Sequence, residues 1–452
     1  MSKESTHWAR QLTPYHWFVF IIASLAWFFD CLDQRLFSLA RIPALTELMP
    51  TGTDAGVVQA RGKDVTALFL IGWGVGGLVF GPLGDRFGRA KMLTFTVLIY
   101  SLCTGLTYFS RTYWDFALFR FLTGMGVGGV FGLAVALIAE TLPSGARAGA
   151  LGWLQILSTV GNISAGGVKI VIDRLATNEV ITPGTQWRWM FLVGAVPAFL
   201  VVFIMKYLRE PEPWLKARDE GRLPKGSVIG PYLEVLRDRT WTRNLIVGAL
   251  ISSAGVVGLW AIGEYATDLQ VETFTQYYQA QNVPDAEIGP LVANARSNAF
   301  LLQMIGAAIG MWFMTRACIV FGRKPAFAIW YTGALIATLY VYWSMNSPFD
   351  AYWMMPLMWF FQLGVFAGFA IYLPEIFPSR MRSTGTSFCY NLGRFAAAIG
   401  SYFSARLATD FFASDVPGLQ ERYAAMTMCA IFLIGLAALP FAPETKDKPL
   451  PE

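Results

Sequence analysis

The chain has 452 residues, of which 55% are hydrophobic and only 14% are charged. So few charges exclude an ordinary soluble domain, and the apolar excess indicates a membrane protein. The net charge of +5 is spread among loops between apolar runs, so it does not indicate nucleic-acid binding.

Apolar runs long enough to cross a bilayer as helices recur along the whole chain. They predict an all-α membrane protein with twelve transmembrane helices. The runs are 16–40, 64–83, 90–110, 115–139, 148–172, 188–208, 241–265, 289–315, 326–346, 351–373, 385–409 and 422–442.

The distribution of Lys and Arg predicts the orientation of these runs. With the amino terminus placed in the cytoplasm, the inner segments carry 21 of the 35 basic residues and the outer segments carry seven. This bias follows the positive-inside rule. We therefore expect a multi-pass protein of the cell (inner or plasma) membrane with both termini cytoplasmic. The outer loops 41–63 and 266–288 are long enough to form lids over an outer vestibule, although loops of this length can equally be flexible.

The first run contains two acids, Asp30 and Asp33, at bilayer depth, where charge is costly and usually functional. Three residues apart on a helix, they share one face. Two neighbouring acids in a poorly solvated site resist double ionisation, so one of them should bind a proton reversibly. The structural alternative is that one Asp caps a helix break or forms a fixed ion pair.

The cysteines and histidines give no sign of enzyme or metal chemistry. The only histidines, His7 and His16, precede or begin the first run. A proton that crosses the membrane must therefore be carried by carboxylates. No nucleophile-and-histidine set, metal cluster or phosphate loop is visible, so we predict neither an enzyme nor a cofactor. The five cysteines are in or beside apolar runs and are expected to pack helices: Cys31, Cys103, Cys318, Cys389 and Cys429.

The sequence repeats itself. Glu140-Thr-Leu-Pro-Ser-Gly-Ala-Arg147 after the fourth run matches Glu375-Ile-Phe-Pro-Ser-Arg-Met-Arg382 after the tenth. Phe-Gly-Arg89 after the second run matches Phe-Gly-Arg323 after the eighth, and the shift along the chain is the same for both matches to within one position. The repeat predicts two pseudo-symmetric six-helix bundles, over 1–208 and 241–452. Residues 209–240, rich in charge and proline, are predicted to form a cytoplasmic linker with short helices.

Residues 81–89, Gly-Pro-Leu-Gly-Asp-Arg-Phe-Gly-Arg, resemble the loop signature of the major facilitator superfamily, and they follow the second run as in that family. Pro211-Glu-Pro-Trp and Pro443-Glu-Thr-Lys resemble the signatures of its sugar-porter and organic-ion branch. The resemblance implies salt bridges that close a cytoplasmic gate, although the basic residues of the signature could instead only fix topology. By position, the implied gate residues are Asp85, Arg86, Arg89, Glu140, Arg147, Arg323, Glu375 and Arg382.

Phe-Asp30-Cys-Leu-Asp33 resembles the Phe-Asp-Gly-Tyr-Asp pattern in the first helix of aromatic-acid and other metabolite:proton symporters. The acid matched by Asp33 pairs there with an arginine of the fourth helix, and Arg120 occupies that place here. The resemblance therefore implies Asp33 as proton acceptor and Arg120 as its switching partner. This sequence has Cys-Leu where the pattern has Gly-Tyr.

Polar side chains recur on single faces of several later runs. Gln155, Asn162 and Lys169 are spaced by seven, which keeps them on one stripe. A polar stripe on a spanning helix should face a cavity, although amides also form hydrogen bonds between helices. The predicted substrate-binding residues are Gln155, Asn162, Lys169, Arg296, Gln303, Gln362, Asn391 and Arg394.

The leading hypothesis is a monomeric, proton-coupled symporter that alternates access to a small organic anion, such as a carboxylate or sugar acid. Its partners would be the substrate, protons and the lipid bilayer, with no nucleic acid. The buried basic residues favour an anion, because arginine holds carboxylates in bidentate fashion. In one alternative the substrate is a neutral sugar, polyol or small drug-like molecule, and the basic residues only balance Asp30, Asp33 and Glu264. A transport-dead receptor or scaffold on the same fold is the alternative from another class.

Overall fold

A computed structural model describes residues 8–223, 228–412 and 419–451, and within them the chain forms helices and no strands. Short turns of helix lie at Trp8–Gln11 and Ser379–Met381, and a π-helical turn at Leu407–Phe411. The longer helices are α1 (Pro14–Leu48), α2 (Ala55–Phe87), α3 (Arg89–Thr107), α4 (Tyr113–Thr141), α5 (Ser144–Thr177), α6 (Gln186–Val193), α7 (Ala198–Tyr207), α8 (Glu212–Asp219), α9 (Ile229–Arg237), α10 (Arg239–Gly263), α11 (Glu264–Ala280), α12 (Asp285–Phe321), α13 (Arg323–Ser344), α14 (Pro348–Ile376), α15 (Arg382–Arg406) and α16 (Leu419–Phe441).

Each of the twelve predicted apolar runs lies mostly on helix. Ten helices in the described part of the chain are long and apolar enough to cross a membrane by themselves. The sixth run is divided between the shorter α6 and α7, which are separated by residues 194–197. The eleventh run lies on α15, whose many polar residues lower its hydropathy.

The two long outer loops predicted from hydropathy are mostly helix. Of residues 41–63, only 49–54 connect α1 to α2. Of residues 266–288, only 281–284 connect α11 to α12. The loop prediction was wrong because hydropathy detects only the part of a helix that matches the hydrocarbon, about 20 residues, whereas α1 and α2 have 35 and 33. Most of 266–288 lies on α11, which has few apolar residues.

Glycines let two pairs of helices cross closely. A Cβ on Gly76 of α2 would lie 1.9 Å from the Met125 carbonyl oxygen of α4, so only hydrogen fits. A Cβ on Gly310 of α12 would lie 2.0 Å from the Phe360 carbonyl oxygen of α14. The shift from Gly76 to Gly310 is the same as that from Arg89 to Arg323, so the sequence repeat is also a repeat of packing.

The described residues group into two compact units. The first holds the chain up to Leu245, together with Leu373–Asn391 and the residues from Pro449 onward. The second holds Ile246–Tyr372 and Leu392–Lys448. Leu373–Asn391 thus belong to the first unit, although they follow the tenth run in the second repeat. Between the repeats lie α8 and α9, and residues 224–227 of the predicted linker lie outside the described residues.

Candidate functional site

An ion pair joins α1 to α4 in the interior of the first unit. Arg120 Nη1 donates a hydrogen bond to Asp33 Oδ2 over 3.4 Å, and their side chains are 0% and 1% exposed. These residues are far apart in the sequence, and the structure brings them into contact. Because a buried ion loses its hydration, each charge here depends on the other for stabilisation.

Arg120 is held by more than its acid partner. Its Nη2 donates to three threonine hydroxyls, Thr104 at 3.2 Å, Thr107 at 2.9 Å and Thr123 at 3.0 Å. Its guanidinium also lies 4.6 Å from the ring centroid of Phe191, within cation–π range. These contacts hold the cation independently of Asp33.

Asp30 lies one turn before Asp33 on α1 and is also buried. Its Oδ1 accepts a hydrogen bond of 3.0 Å from Gln34 Nε2 on the next turn. Helix α5 comes very close at this level, because a Cβ on Gly161 would lie 2.5 Å from the Phe28 carbonyl oxygen. The two acids therefore occupy a closely packed part of the first unit.

The predicted polar stripe on α5 is only partly buried. Gln155 is 2% exposed, and its side-chain oxygen has no hydrogen-bond partner among the described residues. Asn162 Nδ2 donates to the Ser158 carbonyl oxygen on its own helix, 2.9 Å away. Lys169 forms a 2.5 Å ion pair with Asp173, and both side chains are more than 40% exposed. The stripe therefore ends at an exposed pair rather than in the interior.

In the second unit, the predicted side chains are buried to different extents. Arg394 and Gln303 are 2% and 1% exposed, whereas Arg296 is half-buried. Gln362 Nε2 donates to Thr338 Oγ1 at 2.8 Å. The side-chain oxygens of Gln303 and Gln362 have no hydrogen-bond partner among the residues that the structure describes. The side chain of Glu264 lies outside the described part.

Asn391 lies on α15 but belongs to the first unit. Its Nδ2 donates to the Ser387 carbonyl oxygen at 2.8 Å and to the Gly128 carbonyl oxygen at 3.4 Å. Gly77 leaves room for it, since a Cβ there would lie 1.9 Å from Asn391 Nδ2. This amide joins helices, which is the alternative expected for polar residues in a membrane.

Four of the eight predicted gate residues form one buried network at the ends of α2 and α4 that adjoin the linker, here called the linker side. Arg89 Nη2 lies 3.0 Å from Asp85 Oδ1 and 3.1 Å from Glu140 Oε1. Arg382 Nη1 lies 2.7 Å from the same Glu140 oxygen. Arg89 also donates to the Ser379 carbonyl oxygen. The charges thus alternate in sign, so each ion has an opposite neighbour.

Asp85 also holds the amino end of α15. Its carboxylate accepts hydrogen bonds from Ser383 N at 3.1 Å and from Thr384 N at 2.7 Å. The Thr384 hydroxyl donates to the same carboxylate at 2.6 Å. The first amides of a helix have no partner within the helix and carry partial positive charge, so a carboxylate here satisfies both needs.

The other four predicted gate residues are placed differently. Arg86 is exposed and lies over the Phe87 ring, 4.9 Å from its centroid. Arg147 is half-buried, and Glu375 is buried in the first unit. Arg323 is buried in the second unit, where its Nη1 donates to the Cys318 carbonyl oxygen at 3.2 Å.

Two glutamates cap helices in repeat-related positions. Glu210 accepts from Ala90 N and Lys91 N at the start of α3, both at 3.1 Å. Glu444 accepts from Arg323 N and Lys324 N at the start of α13, both at 3.0 Å. Burial raises the pKa of Glu210. Burial also acts to raise that of Glu444, but the four backbone amides around the carboxylate outweigh it and lower the pKa.

At the carboxyl-terminal ends of α3 and α13, two arginines bind carbonyl oxygens in repeat-related positions. Arg188 Nη1 donates to the Tyr108 and Ser110 carbonyl oxygens after α3, at 2.5 and 2.9 Å, and Nη2 pairs with Glu47 at 2.8 Å. Arg422, its counterpart in the second repeat, donates to the Tyr342 carbonyl oxygen at 2.8 Å. Beside Glu47, a cavity of about 660 Å³ opens between α1, α5 and α6, and Lys169 and Asp173 line it.

Several residues of these sites were not found by sequence reasoning. The threonines around Arg120 carry no charge, and nothing in their spacing marks them. Glu210 did leave a signal, since it precedes Glu444 by the same shift that separates Arg89 from Arg323. The neighbouring Glu212, which belongs to the Pro211-Glu-Pro-Trp motif, is exposed.

The family model of the Major Facilitator Superfamily matches residues 17–280. A putative metabolite transport protein of Haemophilus influenzae is 26% identical over 98% of this chain and 99% of its own. A cis,cis-muconate transport protein of Acinetobacter baylyi is 24% identical over 84% of each chain. Among solved structures, a proton:xylose symporter has a TM-score of 0.73 and 17% identity over 96% of this chain and 98% of its own, which shows the shared fold.

Proposed function

Because this chain belongs to the major facilitator superfamily, a family of membrane transporters rather than enzymes, we propose that it is a proton-coupled symporter of a small organic anion. Transport would proceed by alternating access, with both termini in the cytoplasm. The observation that carries this proposal is the buried pair of Asp33 and Arg120.

The surroundings of this pair fit reversible proton binding. In the paired state the guanidinium stabilises the Asp33 carboxylate. Protonation removes that negative charge and with it most of the attraction across the 3.4 Å contact. Arg120 then keeps its three threonine partners, so the cation is not left without hydrogen bonds. Only α1 is released, which makes Asp33 a switch between α1 and α4.

The charge of the substrate is argued from the buried cation in the second unit. Arg394 is 2% exposed, and a guanidinium can hold a carboxylate through two parallel hydrogen bonds. The A. baylyi relative that is named for cis,cis-muconate supports an organic anion. Gln303 and Gln362 would add polar contacts through side-chain oxygens that accept hydrogen bonds from hydroxyl groups.

The linker-side network would then act as a gate. Opening this side requires that Asp85 release the first amides of α15 and that Glu140 release Arg382. Both contacts join residues 373–391 to the rest of the first unit.

The test is uptake of a panel of radiolabelled organic acids into proteoliposomes, with and without an imposed inward proton gradient. We expect the gradient to drive accumulation in the wild type. Asp33→Asn should lose accumulation but retain exchange of internal for external substrate, because a permanently neutral side chain mimics the protonated state. Gradient-independent uptake by the wild type, or accumulation by Asp33→Asn, would refute proton coupling.

A neutral sugar or polyol is the second candidate substrate, and the buried amides of Gln303 and Gln362 in the second unit favour it. Such amides bind hydroxyl groups without any need for charge. Arg394→Gln separates the candidates. An anion would lose binding by about tenfold to a hundredfold, since a charged hydrogen bond contributes roughly 1.5–3 kcal/mol. A neutral substrate would bind almost unchanged.

A further inference from the structure

Helix α9 in the linker has apolar side chains on two opposite faces. Pro231 and Val235 are buried on one face. Ile229, Leu233 and Leu236 are 61%, 50% and 58% exposed, and their spacing of four and three residues puts them on the other. A helix that is apolar on both sides needs apolar surroundings on both sides.

The buried face of α9 is fixed to a membrane-spanning helix. Tyr232 donates its hydroxyl to the Leu78 carbonyl oxygen of α2 at 2.7 Å. This carbonyl lacks its usual partner within the helix, because the residue four positions later is Pro82, which has no N–H. The Tyr232 ring also contacts Phe388 of α15, with 5.8 Å between ring centroids. Burial raises the pKa of Tyr232 above its usual range, so the hydroxyl remains a donor.

This hydrogen bond sets the level at which α9 lies. Leu78 precedes the end of α2 at Phe87 by nine residues, which is about 13 Å along a helix. Helix α9 therefore lies beside the linker-side third of α2 and not beyond its end. At that level, the surroundings of a spanning helix change from lipid chains to lipid headgroups.

Basic residues follow the exposed apolar face. Arg237 ends α9, and Arg239 and Arg243 lie on the first turns of α10. All three are exposed and have no ion-pair partner within residues 8–223, 228–412 and 419–451. Apolar residues with arginines beside them are the pattern of a helix that lies in the membrane interface.

We propose that α9 is an interfacial anchor, with Ile229, Leu233 and Leu236 in the acyl-chain boundary of the linker-side leaflet. Arg237, Arg239 and Arg243 bind the phosphates of anionic lipids in that leaflet. The linker that joins the two sequence repeats is then attached to the membrane as well as to α2. Anionic lipid thereby becomes a ligand that fixes the position of α9 and, through Tyr232, of α2.

The first experiment measures where Leu233 lies. The full chain carrying Leu233→Cys is labelled with bimane and placed in nanodiscs, where brominated phosphatidylcholine quenches from the lipid and iodide quenches from the water. Arg218→Cys on α8, an exposed position in a polar helix, is the matched control, and the wild-type chain gives the labelling background of the native cysteines. We expect brominated lipid to quench position 233 and iodide to quench position 218. Iodide quenching at 233 equal to that at 218, or protection from iodide without quenching by brominated lipid, would overturn the anchor.

The second experiment concerns the headgroup. Nanodiscs of phosphatidylcholine with increasing phosphatidylglycerol should raise the melting temperature of the wild type. Each of Arg237→Gln, Arg239→Gln and Arg243→Gln should weaken the apparent affinity for phosphatidylglycerol about fivefold, from roughly 1 kcal/mol per basic residue at an anionic surface. Arg218→Gln should leave it unchanged. A triple variant with the phosphatidylglycerol response of the wild type would overturn the lipid site, whatever the result at position 233.

Discussion

The contact between Asp85 and the amino end of α15 can be weakened by a single change, Asp85→Asn. The amide has the shape of the carboxylate but only one oxygen and no charge. In the wild type, Ser383 N bonds one carboxylate oxygen, while Thr384 N and the Thr384 hydroxyl bond the other. The substitution therefore removes the acceptor of at least one bond and turns the remaining ones into neutral hydrogen bonds.

The size of the effect follows from these contacts. Loss of one partner of a buried ion pair costs about 3–5 kcal/mol, and a hydrogen bond to a charged group contributes about 1.5–3 kcal/mol. Arg89 keeps Glu140 at 3.1 Å, so its own charge is not left alone. We therefore expect Asp85→Asn to cost about 2–4 kcal/mol, below the full cost of an unpaired buried charge. This corresponds to a roughly 30- to 1,000-fold shift of the equilibrium toward the released state of the α15 amino end.

Hydrogen–deuterium exchange read by mass spectrometry measures this shift directly, because the amides of Ser383 and Thr384 are themselves the donors. Peptides that cover residues 379–386 should exchange at least 30-fold faster in Asp85→Asn than in the wild type. Arg86→Gln, one residue along the same motif but exposed, is the control and should exchange like the wild type. Equal exchange in Asp85→Asn and wild type would refute the reasoning, and the alternative that this motif only fixes topology would be preferred.

Three further changes test other parts of the structure. Glu444→Gln should lower the melting temperature at pH 7, and the difference from wild type should shrink as the pH falls, because a group with a lowered pKa stabilises the fold only while ionised. Glu210→Gln changes a site that favours the neutral form, so it should lower the melting temperature less. Equal losses of melting temperature in the two variants would contradict the two pKa directions. Arg188→Gln should cost about 2–3 kcal/mol in a thermal-unfolding assay, since two carbonyl oxygens lose a charged donor, and an unchanged melting temperature would show that water replaces it. Gly76→Ala should abolish the monodisperse peak in fluorescence size-exclusion chromatography. Gly166→Ala, with open space at its Cβ, should leave that peak intact. Equal elution profiles of the two variants would contradict the close crossing of α2 and α4.

Most of the fold could be predicted from the sequence, because the bilayer imposes one simple rule on each spanning helix. Apolar length located all twelve runs, and the internal repeat related them in pairs. The ends of α1 and α2 that meet at residues 49–54 escaped prediction, and so did α11, because these parts of the chain carry little apolar signal. The division of the sixth run between α6 and α7 was missed because Gly194 and Pro197 lie inside an otherwise continuous apolar run.

The candidate site was predictable where it consists of charges and not where it consists of neutral groups. Asp33 and Arg120 stand out because charge in an apolar run is rare. Thr104, Thr107 and Thr123, which hold the arginine, are common residues in such runs. Lys169 has the spacing expected of an interior residue, but a helix stripe that drifts about 20° per heptad does not predict how far each of its side chains is buried. Its exposed partner Asp173 lies one turn further along α5.

Within residues 8–223, 228–412 and 419–451, a carboxylate from another segment holds the first amides of a helix at three places. Two of these caps, Glu210 on α3 and Glu444 on α13, are related by the repeat. Glu444 binds amides that lie one position earlier in its helix, because Pro325, the counterpart of Lys91, has no N–H. The third, Asp85 on α15, has no counterpart, since the equivalent position of the second repeat is Ile319. The repeated caps each bind a helix to a segment of its own unit, next to it in the repeat, and nothing in alternating access requires them to break. The single cap binds the first repeat to residues of the second. Under the proposed alternating access, it is therefore the cap that we expect a conformational change between the repeats to release.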